Sequence, residues 1–209
     1  LQAEYGHLIA FDIATWDLLG KLHNQSIYKL VGAYRNKLPA YASTFGCKTD
    51  EEYIQLALRA KNEGFHGFKL HPYAIPDKDI RLCRAVREAV GPDFPLMIDS
   101  IYKYNRVEAM KVGRVLSELD FDWYECPLKD SDIDGLKYLR SKLTVPIAAA
   151  EAHYTGLSDW TRYLTQGACD YIRGIADVAG GITGLKKMAI VSEAFNTNLE
   201  SHSFGSTLV

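Results

Sequence analysis

Three acidic residues at a single spacing carry the strongest chemical signal in this sequence. Asp99, Glu125 and Glu151 lie 26 residues apart, and each closes a short, mostly apolar run over residues 95–98, 121–124 and 147–150. An apolar run ending in a carboxylate, repeated at the length of one strand plus one helix, predicts three adjacent parallel strands presenting acids at their C-terminal ends. Carboxylates sharing an apolar mouth repel one another and are pushed toward the protonated form. A divalent cation removes that conflict, and all-oxygen ligation suits magnesium, which keeps positions open for water and substrate. The sequence therefore predicts a metal centre, with Mg2+ as cofactor and Asp99, Glu125 and Glu151 as its ligands.

Other polar residues close neighbouring runs. Lys69 and His71 stand two apart at the end of residues 67–71, so one strand would aim both at the same face. His202 closes residues 198–202. His153, Tyr102, Tyr104 and Tyr154 fall in the segments after these runs and are candidate substrate contacts; Glu200 shares a strand face with His202.

The elements that must position these groups can be read in order. Apolar residues recur at helical spacing over residues 8–22, a break follows at residues 24–26, and residues 27–31 form one more helical turn. From there strand and helix patterns alternate. Strands are predicted over residues 38–43, 67–71, 96–99, 123–125, 146–151, 171–173 and 198–202. Thr49 with Glu52, and Asn105 with Glu108, have capping-box spacing, while Pro76 opens a helix that Gly91 closes. Seven strands alternating with helices predict parallel βαβ units. A unit length near 26 residues favours a (β/α) barrel over a doubly wound sheet, and no Gly-rich phosphate loop follows the first strand. In such a barrel the C-terminal strand ends face the active site. An eighth unit is missing after His202, so a truncated chain is expected.

Bulk properties narrow the class further. The 209 residues suffice for one domain or slightly more, and a net charge of −2 gives no field for nucleic acid or an anionic membrane. No apolar run approaches a membrane span, and Glu4, His7 and Asp12 interrupt the N-terminal stretch where a signal peptide would need a core. Four dispersed cysteines without a C-x-x-C pair indicate a reduced, cytoplasmic setting.

The motifs in order resemble the enolase superfamily, in its mandelate racemase/muconate-lactonizing branch. Residues 10–21, AFDIATWDLLGK, resemble the helix leading from the family's capping domain into its barrel. Lys69-Leu70-His71 stands at the K-x-K position, Glu125 lies in Glu125-Cys126-Pro127, and residues 179–183 match the Gly-Gly-Ile-Thr motif. The resemblance implies a modified (β/α)7β barrel over residues 37–209, incomplete at its C-terminus, with residues 1–36 as the end of the capping domain and linker helices. It implies metal-dependent abstraction of the proton α to a substrate carboxylate, giving a metal-stabilised enediolate. Dehydration of an acid sugar is the expected outcome; racemisation, epimerisation and cycloisomerisation are the alternatives. His71 and His202 would be the opposed bases and Lys69 their electrostatic partner. The partner is a small carboxylic acid, and a homo-oligomer is compatible with the family. Three positions depart from its pattern. His71 replaces a lysine, Ser100-Ile101 follows Asp99 where an asparagine is common, and Ile175 stands where an aspartate orients the histidine, with Asp177 nearby. Ile175 and the truncated C-terminus favour a reading of a different class, a non-catalytic metal- and ligand-binding barrel.

Overall fold

The computed structural model describes residues 2–151 and 157–202; His153 and Tyr154 lie outside the described residues. Two helices come first, α1 (Gln2–His23) and α2 (Ile27–Leu30). Then follow β1 (Tyr41–Ser43), α3 (Asp50–Asn62), β2 (Gly67–Leu70), α4 (Pro76–Val90), β3 (Leu96–Asp99), α5 (Arg106–Glu118) and β4 (Trp123–Glu125). The remaining elements are α6 (Ile133–Lys142), β5 (Ile147–Ala149), α7 (Leu157–Gln166), β6 (Tyr171–Ile175), α8 (Gly181–Ala194) and β7 (Asn198–His202). The expected alternation is present, and every strand pair described is parallel. None of the described helices is long and apolar enough to cross a membrane.

The chain divides into two compact units. The first comprises Pro39–Ala149 with Gly167–Asp170 and holds β1 to β5 in chain order. Every residue of β2, β3, β4 and β5 is buried, as a parallel sheet covered by its crossover helices requires. Phe68, Leu70, Leu96, Ile98 and Ile147 of the strands and Leu82, Val86, Leu116 and Leu136 of the helices are all buried there. Local signals set the helix starts. Asn105 and Glu108 form a complete capping box, and Pro76 occupies the first turn of α4. The box expected at Thr49 is half formed. Thr49 accepts from the Glu52 N–H, while the Glu52 carboxylate accepts from the N–H of Lys48.

Arg87 ties the opposite, N-terminal ends of the strands together. Its guanidinium donates to the carbonyls of Gly91, Phe94, Leu119 and Asp120 at 2.6 to 2.9 Å. Those carbonyls belong to the turns that lead into β3 and β4, so one buried cation satisfies several backbone acceptors at once.

The second unit comprises Leu1–Leu38, Ala150–Gln166 and Tyr171–Val209. Here the start of α8 is built by α1. Gly180 and Gly181 have φ of 82° and 80°, and Gly180 offers no side-chain cap. Asp12 of α1 supplies it: its Oδ1 accepts from the Thr183 N–H at 3.1 Å, while Trp16 Nε1 donates to the Thr183 hydroxyl at 2.9 Å. A Cβ on Gly181 would stand 2.2 Å from that Asp12 oxygen. The glycine is therefore required twice, by its backbone angle and by the approach of the cap.

Two outcomes test these local accounts. In urea unfolding, Asp12→Ala should cost about 1 kcal/mol, the usual value of a helix cap, and Gly181→Ala should cost more, on the order of 2 to 3 kcal/mol for the clash and the strained φ together. A Gly181→Ala protein as stable as the parent would contradict the cap geometry. The second outcome concerns Asp132, which accepts from the Gly135 N–H at the start of α6 and is held below the usual carboxylate range by its bond to Arg106. A carboxylate depressed in the folded state adds stability above the unfolded value near pH 4, and that increment vanishes as pH falls through the folded value. Arg106→Gln should accordingly be less stable than the parent at pH 6, with the difference closing by about pH 2.

Candidate active site

The first unit gathers four of the residues the sequence singles out. The register pairs Ser43 with Lys69, Lys69 with Met97, and Asp99 with Glu125, so the ends of β2, β3 and β4 are level. Lys69 is 2% exposed, and its ammonium lies 2.9 Å from each Glu125 oxygen and 3.9 Å from Asp99 Oδ2. Trp123, two residues before Glu125 on the same strand face, donates its indole N–H to Glu125 Oε2 at 3.0 Å. The Tyr41 ring stands edge-on to Trp123 and lies under the Lys69 ammonium at 5.7 Å. A buried cation is thus enclosed by two carboxylates and the Tyr41 ring, with Trp123 bracing both Glu125 and that ring.

His71 stands just past the end of β2, and its Nε2 meets Asp99 Oδ2 at 3.1 Å. The other ring nitrogen, Nδ1, is buried and has no hydrogen-bond partner among the described residues. Neighbours hold the backbone here. The Tyr53 hydroxyl donates to the His71 carbonyl at 2.5 Å, and the Thr44 hydroxyl accepts the His71 N–H at 3.2 Å. Burial by itself would raise the Asp99 carboxyl. The bond to His71, the charges of Lys69 and His71, and the Ile101 N–H outweigh it and hold Asp99 below the usual carboxylate range.

Glu151 and His202 belong to the second unit. Equal spacing along the chain did not translate into equal register: Glu125 pairs with Ala148, and β5 ends at Ala149, so Glu151 lies three residues beyond the level of its expected counterparts. The physical reason is Ala150, whose φ of 73° turns the chain out of the strand. Within this unit His202 Nδ1 lies 2.5 Å from Glu151 Oε1. The Arg173 guanidinium, 1% exposed, lies 3.4 Å from the same oxygen. Ile175 is the register partner of His202 and is buried, with no polar atom to offer.

The donor set in the first unit fits a hard divalent cation. Asp99, Glu125 and Cys126 bring ligand atoms within 4.8 Å of one another, all from buried residues. The two carboxylates are the oxygen donors such an ion takes, and the thiol is a soft group that magnesium does not favour. Two anionic groups against one ammonium leave room for added positive charge.

Some residues were not singled out by the sequence reading. Trp123 had a usable signal, since period-two alternation puts it on the face of Glu125. Arg173 is an arginine inside a buried strand, a position that demands a charged partner. Tyr104 corrects an expectation in the other direction. It is buried, and its hydroxyl donates to Asp79 at 2.7 Å, so it braces the segment after β2.

Comparison with known proteins gives the family. The model of the enolase C-terminal domain-like family matches residues 52–209. D-galactarolactone cycloisomerase of Agrobacterium fabrum is 31% identical over 205 residues, covering 95% of this chain and 53% of that protein. The crystal structure of D-glucarate dehydratase from Agrobacterium tumefaciens complexed with magnesium is 36% identical with a TM-score of 0.90, covering 96% of this chain and 55% of that one. A variant of L-talarate/galactarate dehydratase from Salmonella typhimurium, liganded with magnesium and L-glucarate, is 29% identical with a TM-score of 0.83, covering 92% and 49%. Other relatives are acid-sugar dehydratases and dipeptide epimerases. The chain spans about half the length of the curated relatives it matches. With its parallel α/β architecture and a family match over most of its length, this chain belongs to the enolase C-terminal domain-like family, in the mandelate racemase/muconate-lactonizing branch of the enolase superfamily.

Proposed function

We propose that the protein is an enzyme that removes the proton α to the carboxylate of a small acid sugar, with dehydration as the outcome. The observation that carries this reading is the boxed Lys69 ammonium between buried Asp99 and Glu125, with His71 on Asp99. Asp99 and Glu125 are assigned to Mg2+, and Glu151 is assigned the third ligand position on the sequence pattern. The cation, when bound, supplies the electrophile that offsets negative charge developing on the substrate carboxylate.

The chain's own groups then have distinct tasks. With Nε2 on Asp99, His71 is assigned Nδ1 as the nitrogen that takes the α-proton. Asp99 fixes the tautomer and offsets the charge of the imidazolium. Lys69, held between two carboxylates, adds positive charge where the substrate carboxylate gains electron density. Loss of the β-hydroxyl, protonated as it leaves, releases water and gives an enol that becomes an α-keto acid. His202 is assigned as the acid for that step.

The relatives include cycloisomerases and epimerases, so the fate of the carbanion is read from products. Residues 1–36 are assigned to the end of a capping domain and 37–209 to the barrel. The exposed apolar side chains Leu8, Phe11, Leu18 and Leu22 on α1 support that division. A cytoplasmic setting fits the free thiols of Cys47, Cys83 and Cys169.

The direct test is exchange of the α-proton into deuterated water, with Mg2+, across a panel of aldonic and aldaric acids. Exchange with at least one of them should fall by ~100-fold or more in His71→Ala and in Glu125→Gln. Exchange with none of the acids in the metal-loaded, full-length protein would remove the enzyme reading and leave a ligand-binding barrel. A keto acid among the products identifies dehydration. Stability gives an independent check on the charge box. Lys69→Met leaves two buried carboxylates without their ammonium and should cost about 3 to 5 kcal/mol in metal-free urea unfolding. Added Mg2+ should recover part of that loss, and a variant as stable as the parent would contradict the assignment.

A further inference from the structure

Asp79 is a fully buried carboxylate that the proposed reaction does not use. It lies in the first turn of α4, and both of its oxygens are engaged. Oδ1 accepts the Tyr73 N–H at 2.8 Å, in the segment between β2 and α4. Oδ2 accepts the Tyr104 hydroxyl at 2.7 Å, in the segment between β3 and α5. These two segments follow the strand ends that carry Lys69, His71 and Asp99. Both contain non-glycine residues in left-handed backbone: Ala74 has φ of 62° in the first, and Ile101 and Tyr102 have 49° and 61° in the second. Such conformations persist only where surrounding contacts hold them. Asp79 is bonded to both segments at once.

We propose that Asp79 is a positioning residue that clasps these two segments together and so fixes where His71 stands. The inference deepens the proposed function, because it rests on His71 being the base. Three features carry it. First, β2 ends at Leu70, and beyond it the His71 backbone is held by side chains, its N–H by the Thr44 hydroxyl and its carbonyl by the Tyr53 hydroxyl. Second, Tyr73 is pinned twice, its N–H by Asp79 and its hydroxyl by Asp50 at 2.8 Å, and its ring stands edge-on to the Tyr53 ring at 5.4 Å. A shift of Tyr73 therefore reaches Tyr53, and through it the His71 carbonyl. Third, the hydrogen-bond partners of Asp79 are neutral donors, and a carboxylate out of water with only such partners is costly to fold. Burial raises its carboxyl above the usual range although Tyr104 and Tyr73 bond to it. An apolar residue would fill the same space at less cost but would offer neither acceptor, so the clasp accounts for the acid.

The test is amide hydrogen exchange in the full-length protein with Mg2+, read residue by residue by NMR. The informative amide is that of His71, which donates to Thr44 and not to Asp79. Tyr104→Phe removes one hydroxyl on the far segment. It should speed exchange at His71 and Tyr73 by ~10-fold or more, the scale of a lost hydrogen bond to a charged group. Phe68, whose N–H is bonded within the sheet to the Pro95 carbonyl, should exchange as in the parent. Asp79→Ala removes both acceptors, should speed His71 at least as much, and covers the case in which the phenylalanine variant does not fold. Unchanged exchange at His71 in either folded variant would overturn the proposal, and so would equal acceleration at His71 and Phe68, the mark of a general loss of stability. The readout needs no turnover, so failure of α-proton exchange and failure of the clasp are told apart. Where α-proton exchange is active, kcat should fall ~10-fold or more in Tyr104→Phe with KM little changed, as when a reacting group is displaced while substrate contacts remain. A kcat at the parent's level would overturn the positioning role.

Discussion

The charge box at the ends of β2, β3 and β4 is the constraint that the first unit must satisfy. An ammonium at 2% exposure cannot be accommodated without anions in contact, and two buried carboxylates cannot stay ionised without a cation. Each group is tolerable only because the others are within reach. That mutual dependence specifies strand register, since a slip of one residue on any of the three strands would turn its charged side chain to the opposite face. The aromatic walls from Tyr41 and Trp123, and the Thr44 and Tyr53 hydroxyls on the β2 backbone, then hold the box at fixed geometry. The same arrangement that satisfies folding also preorganises charge for chemistry.

The second unit applies the same rule with a different cation. Arg173 is buried against a carboxylate, but its planar fork also engages a backbone carbonyl of the neighbouring strand. Lysine in one unit and arginine in the other are not interchangeable. Lys69 acts as a compact charge that two oxygens can share, whereas Arg173 acts as a brace with two ends.

Much of this was legible in the residues themselves. Element order follows from local signals: Asn105 with Glu108, Pro76 and Gly91 each mark a boundary by their own chemistry, and the structure places helix ends there. The grouping of Lys69, His71, Asp99 and Glu125 follows from strand-end position, because parallel strands of similar length bring their ends level. Legibility stopped where non-glycine residues adopt left-handed backbone. Cys126 and Ala150, with φ of 46° and 73°, end β4 and β5. Neither residue type advertises that conformation, so the strand predicted through Glu151 ends two residues earlier, at Ala149. The pairing of Glu151 with His202 was also hidden, since it joins positions 51 residues apart and depends on side-chain reach.

The cap that Asp12 places on α8 has a consequence for how the chain is made. The two bonds joining α1 to Thr183 span 171 and 167 residues, so they are among the least local contacts in the molecule. During synthesis at ~5–20 residues per second, α1 emerges and then waits roughly ten to thirty seconds for its partner. Throughout that interval α1 lacks its contacts with Thr183, while the intervening βα units can already be packing. This helix is made before the βα units yet secured after them, and the Gly-Gly turn that receives it serves as a late fastening point for the nascent chain.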